Sequence, residues 1–137
     1  MIIDPMNGKR LAIVALGPSS RAYLDMAGAA VDRRTEWEEV WTCNNYATVI
    51  QHDRLFVMDD MRLLMKDPDP MMPVLIEAIR RHPGPVYTSC PHPDFPTMVE
   101  YPLEAVVNDL VSDYFNNVTA YMLALACALR VKSLHVF

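Results

Sequence analysis

Apolar residues fall in short runs along the chain, and most of the runs stop at glycine, proline, asparagine or aspartate. The first run, RLAIVAL over residues 10–16, has no polar alternation and ends at Gly17-Pro18. Such a run predicts a strand covered on both faces, as in a parallel sheet. Ser19 and Ser20 then supply N-cap oxygens for a helix over 21–30, with Tyr23, Leu24, Ala27 and Val31 facing inward. Gly28 weakens that helix by about 1 kcal/mol. Residues 40–43 (VWTC) and 54–58 (RLFVM) predict two further strands, ending at Asn44-Asn45 and Asp59-Asp60, with a short helix over 46–50 between them.

Asp69 predicts a helix cap with Pro70 in the first position, and Met72, Leu75, Ile76 and Ile79 give that helix one apolar stripe. His82-Pro83-Gly84-Pro85 stops it. Residues 86–89 (VYTS) predict a fourth strand, and the three prolines of 90–96 exclude regular structure there. Pro102 opens a short helix with Leu103, Val106, Val107 and Leu110 on one face. Asn117 caps an apolar helix over 118–129, and 132–137 read as a last strand. This alternation predicts an α/β fold: one Rossmann-like, three-layer domain over residues 1–137 with a mostly parallel sheet. The proline-rich stretch 67–102 reads as an insertion over the ligand edge. The final apolar strand reads as one that feeds a further element, so the expectation is a domain truncated at its C-terminus or an unusually short product.

Charge narrows the ligand. The net charge of −5 argues against a nucleic-acid surface, but leaves a small phosphorylated ligand that backbone N–H groups can hold. Cys43, Cys90 and Cys127 are far apart and form no CxxC pair, which argues against a structural zinc site or a disulfide framework and for a reducing, cytoplasmic compartment. Cys127, inside an apolar run, reads as core. No apolar run reaches the roughly 18 residues of a membrane span, and residues 1–9 lack the apolar stretch of a signal peptide. A homo-oligomer stays open.

Five places carry candidate chemistry. Gly17-Pro18-Ser19-Ser20 joins a strand end to a helix N-terminus, where Gly17 permits close approach and both serines can donate to phosphate. Asn44-Asn45 offers amides to a base or ribose, or is a plain turn. Asp59-Asp60, with His52 and Asp53 upstream, offers a Mg²⁺ or Mn²⁺ site or a catalytic base; the alternative is a helix cap beside a solvated acid. Asp67-Pro68-Asp69 has the DxD form of some metal-dependent sugar transferases, but Asp69 already serves as a cap. His92, on the loop 89–94 with Asp94, is a candidate acid, base or ligand. His82 reads as a cation at a helix C-terminus, and His135 as core or edge. Residues 114–119, with Asn117 and Thr119, form a second loop-to-helix N-terminus, which alone reads as a capped buried helix and together with the first loop reads as closing on the two ends of a nucleotide.

These residues carry a resemblance. Residues 11–19, LAIVALGPS, resemble the GxGPSL opening of bacterial CMP-sialic-acid-dependent sialyltransferases, with Ala15 in place of the first glycine. They are equally similar to motility accessory factors and to archaeal hydroxymethylpterin pyrophosphokinases. Trp41-Thr42-Cys43-Asn44 resembles the strand ending in asparagine that follows in that family. Residues 117–137 resemble its TSG…A…GxKxIxLxGxD stretch, whose GxD would follow Phe137 and whose sialyltransferase histidine comes later still. The whole also resembles short proteins of tailed phages. The resemblance implies a Rossmann-like domain in which Gly17, Ser19, Asn44, Asn117 and Thr119 contact a CMP-like nucleotide, with or without Mg²⁺ or Mn²⁺.

Two functions compete on this evidence. One is a nucleotide- or nucleotide-sugar-binding domain of a glycosyl- or pyrophosphoryl-transferase. The other is a non-enzymatic accessory protein, phage-encoded, that keeps the fold and uses methionines such as Met58, Met61, Met65, Met71 and Met72 as an adaptable contact surface.

Overall fold

The computed structural model describes residues 2–29, 36–110, 112 and 115–137. Six strands form one sheet: β1 Arg10–Val14, β2 Glu39–Cys43, β3 Arg54–Phe56, β4 Val86–Thr88, β5 Met98–Glu100 and β6 Ser133–Val136. Their order is β5-β4-β3-β2-β1-β6, and every pairing is parallel. Among the described residues five α-helices accompany them: α1 Ser20–Ala29, α2 Met61–Leu64, α3 Met72–Arg81, α4 Leu103–Leu110 and α5 Val118–Ala128. A 3-10 turn, Asn44–Thr48, follows β2 directly.

The unbroken apolar run of β1 has its explanation in this layering. Leu11 and Ile13 pack with Trp41, Phe56, Val106, Met122 and Leu125 on the α4–α5 face. Ala12 and Val14 face the opposite way, onto Tyr23, Trp37 and Val40 beside α1. Farther along that second face, Leu55, Val57 and Val86 meet Leu75 and Ile79 of α3. A strand covered on both sides has no polar face to show, so alternation disappears. The three-layer α/β expectation holds. Among the described residues no helix is long and apolar enough to cross a membrane.

Strand order fixes where a ligand belongs. The chain adds β2, β3, β4 and β5 in turn on one side of β1, and then lays β6 on the other side. The order therefore reverses between β1 and β6, and open parallel sheets bind ligands outside the carboxyl ends of strands at such a point. Main-chain bonds close the junction: Ala15 N–H donates to the Phe137 carbonyl at 2.9 Å, and Phe137 N–H to Ile13 at 2.8 Å.

Several expectations need correction. Residues 67–102 are not an insertion laid over the edge; they supply α3, β4 and β5, one flank of the sheet itself. β5 was not foreseen, nor was α2. α3 begins at Met72 with Pro73 in its first turn, so Pro70 lies outside it, although the Asp69 carboxylate still accepts from Met71 N–H at 2.8 Å. Cys127 is exposed, not core, because it lies on the outward side of α5 while Met122, Leu125 and Ala126 face the sheet. Leu24 is partly exposed, and Val31 lies outside the described residues.

Candidate functional site

The loop after β1 is built by three short main-chain bonds: Ser20 N–H to Gly17, Arg21 N–H to Pro18 and Ala22 N–H to Ser19, at 3.0–3.2 Å. They start α1 immediately behind the loop and aim its N-terminus at the carboxyl edge. The fold itself does not demand a glycine at position 17. Its φ is not in the left-handed region, and an added Cβ would meet only Ser19 Oγ, at 3.9 Å. The space in front of Gly17 is therefore open. Ser19 is exposed, and among the described residues its hydroxyl has no hydrogen-bond partner. Ser20 differs from expectation: it is only 4% exposed and its Oγ lies 2.5 Å from Tyr46 Oη. The Ser20 hydroxyl ties α1 to the 3-10 turn and does not front the loop. Tyr46 thus supports the site, a role the sequence signalled only by an aromatic residue after two asparagines.

Asn44 stands one strand away. It leaves β2 with φ +49°, a left-handed geometry that asparagine tolerates. Its side-chain amide has no partner among the described residues. Val14 pairs with Thr42, and Thr42 Oγ1 donates to the Val14 carbonyl at 2.8 Å, so Asn44 is held next to the Gly17 loop. The turn reading of Asn44 holds, and the residue is half-buried.

α5 packs over β1 and β2 on the face of the sheet opposite α1. Asn117 Oδ1 accepts from Ala120 N–H at 2.9 Å, the expected N-cap, and its Nδ2 donates to Asn116 at 3.2 Å. That leaves Asn117 engaged in the cap, whereas Thr119, in the first turn, is half-buried, with no partner for its hydroxyl among the described residues. Tyr114 lies outside the described residues.

The acidic candidates sit farther along the edge, beyond β3 and β4. β3 is two strand spacings from β1, about 10 Å. Asp60 is the N-cap of α2: it accepts from Arg62 N–H at 2.9 Å and pairs with the Arg62 guanidinium at 2.7 Å. Those bonds hold its carboxyl down at about 2, too weak a base for proton abstraction near neutrality. Asp59 is exposed, and its carbonyl accepts from Thr88 Oγ1 at 3.4 Å. His92 Nδ1 accepts from Asp94 N–H at 3.1 Å, which places any ring proton on Nε2, and the ring packs on Phe95. Among the described residues no three His, Cys, Asp or Glu side chains group to hold a metal ion. Asp59 and Asp60 therefore do not assemble the metal centre they suggest in sequence. A hollow of about 710 Å³ opens at the end of β5 beside Glu100, Tyr101 and Glu104, away from the Gly17 loop.

The amino edge is different. Arg54, at the start of β3, donates five hydrogen bonds, to Asp4, Glu39 and Tyr87, at 2.6–3.2 Å. Burial works against its charge, but the carboxylates more than compensate and raise its pKa. Burial likewise opposes ionisation of Asp4, and the bonds from Arg54 overcome it and lower its pKa. The guanidinium also lies over Trp41, 5.1 Å from the ring centre. Every donor of this group is spent within the protein, so it reads as architecture.

Against models of known protein families, curated proteins and solved structures, the chain gives no match.

Proposed function

We propose that this chain is a nucleotide- or nucleotide-sugar-binding domain of a transferase-like protein, acting in glycosyl or pyrophosphoryl transfer. The observation that carries the proposal is the open-fronted Gly17–Ser19 loop at the point where strand order reverses. Phosphate oxygens approach Gly17, take the Ser19 hydroxyl and lie on the N-terminus of α1. Asn44 reads the base or ribose. Thr119, on the first turn of α5, closes from the α4–α5 face of the sheet. The Asp60–Arg62 pair makes a poor metal ligand, so binding in this reading does not depend on a divalent ion. The ligand is a small molecule, and the cytoplasmic setting expected from the scattered cysteines belongs to the same proposal.

The test is a thermal-shift panel with CMP, CDP, UDP, GTP and ATP, without and with Mn²⁺. A nucleotide at a hundred times its dissociation constant stabilises by about 2.7 kcal/mol, a shift of several degrees. The expected outcome is such a shift with at least one nucleotide, of equal size with and without Mn²⁺. Folded protein that shifts with none of the five overturns the proposal.

A further inference from the structure

His82 occupies the C-cap of α3, where the helix dipole ordinarily favours a cation. Its surroundings are not those of a cation. The residue is 8% exposed, and its ring stacks on His52, with centroids 4.9 Å apart and planes 22° apart. Hydrogen bonds set the two rings in opposite tautomers. Gly84 N–H donates to His82 Nδ1 at 2.9 Å, so that nitrogen is an acceptor and the proton sits on Nε2. His52 Nδ1 lies 2.9 Å from the Ile50 carbonyl, which only accepts, so here Nδ1 carries the proton. Both Nε2 atoms are buried with no partner among the described residues.

We infer that this stacked pair is a proton-operated latch, closing the β2–β3 connection onto the end of α3 while His82 is neutral and releasing it when His82 takes a proton. A proton on His82 Nδ1 would set donor against donor at Gly84, and would put a charge in a dry place beside a second imidazole. The facing groups are His52 and Asp53 from the connection, with Arg54, Glu39 and Asp4 on the walls of the adjoining cavity of about 490 Å³. Asp53 favours the charged ring, but burial and His52 outweigh it and push the His82 pKa down to about 4. Arg54 pairs with both Glu39 and Asp4, so that network keeps one net negative charge and is engaged within itself.

The direction follows from linkage. The folded form binds its proton near pH 4 and an unfolded or opened form near 6.5, so the opened form holds more protons between those values. Closure is complete above pH 6.5 and is lost as pH falls toward 4. The connection released carries Asn44 and Tyr46, and it packs on α3.

The experiment compares urea midpoints of the wild-type protein and His82→Asn from pH 7.5 to 4.5. The asparagine oxygen can accept from Gly84 N–H and does not titrate. The wild-type folding constant is expected to fall roughly 70-fold more than that of the variant across this range. Parallel curves overturn the latch. Should the variant fail to fold, the histidine ring resonances of the wild type decide by NMR: His82 titrating near 4 in the folded protein supports the inference, and near 6.5 overturns it.

Discussion

At the amino ends of β2 and β3, Arg54, Asp4, Glu39 and Tyr87 satisfy one another, whereas at the carboxyl ends of β1 and β2, the exposed Ser19 and the half-buried Asn44 have no side-chain partner among the described residues. Both edges are polar, so composition alone does not separate them. What separates them is whether the donors and acceptors are already used. A saturated network stabilises or specifies a fold, and a set of uncommitted groups around an open glycine is free to meet a ligand.

Mutations can break this contrast, beginning with the largest expected effect. Arg54→Ala leaves the half-buried Asp4 and Glu39 without their cation, with only Met6 N–H and Trp41 Nε1–H still donating to them, and should cost about 3 kcal/mol in urea unfolding. Arg54→Met with Asp4→Asn and Glu39→Gln should recover part of that loss, since the charges go together. Asn117→Ala removes the α5 cap and should cost about 1 kcal/mol by the same measurement. Asn44→Gly keeps the left-handed turn, so stability should move by only a few tenths of a kcal/mol, while nucleotide affinity drops at least about tenfold, the 1.4 kcal/mol of one lost hydrogen bond. Gly17→Asp should change stability least, by under about 0.5 kcal/mol, yet abolish the nucleotide-induced thermal shift by meeting phosphate with a like charge. A Gly17→Asp protein that still shifts normally would remove the ligand from this loop.

Much of the architecture was legible because it is written locally. The RLAIVAL run, the Gly17-Pro18 stop and the Asn117 cap each follow from a few neighbouring residues, and each is where the pattern puts it. β5 was not legible: three residues after a proline-rich loop carry no period, and only pairing with Val86–Thr88 makes them a strand. The site was legible as a list of loops, not as a division of labour. Ser20 and Ser19 are equivalent in sequence, and Tyr46, twenty-six positions on, takes one of them out of the loop. His82 next to a helix end reads as a cation, until His52, thirty positions earlier, is stacked on it in a dry corner. Asp60 looked like half of a metal site, and Arg62 two residues later claims it as a cap.

The pairing of Arg10 with Ser133 and Ile13 with Val136 carries a kinetic consequence. One wall of the binding mouth comes from β1 and the other from β6, more than a hundred residues later, so a nascent chain leaving the ribosome holds its GPSS loop half-walled until β6 emerges. Contacts this distant in sequence form slowly. Ligand competence should therefore appear as a late step in refolding, after the β2–β4 region has gained its protection from hydrogen exchange.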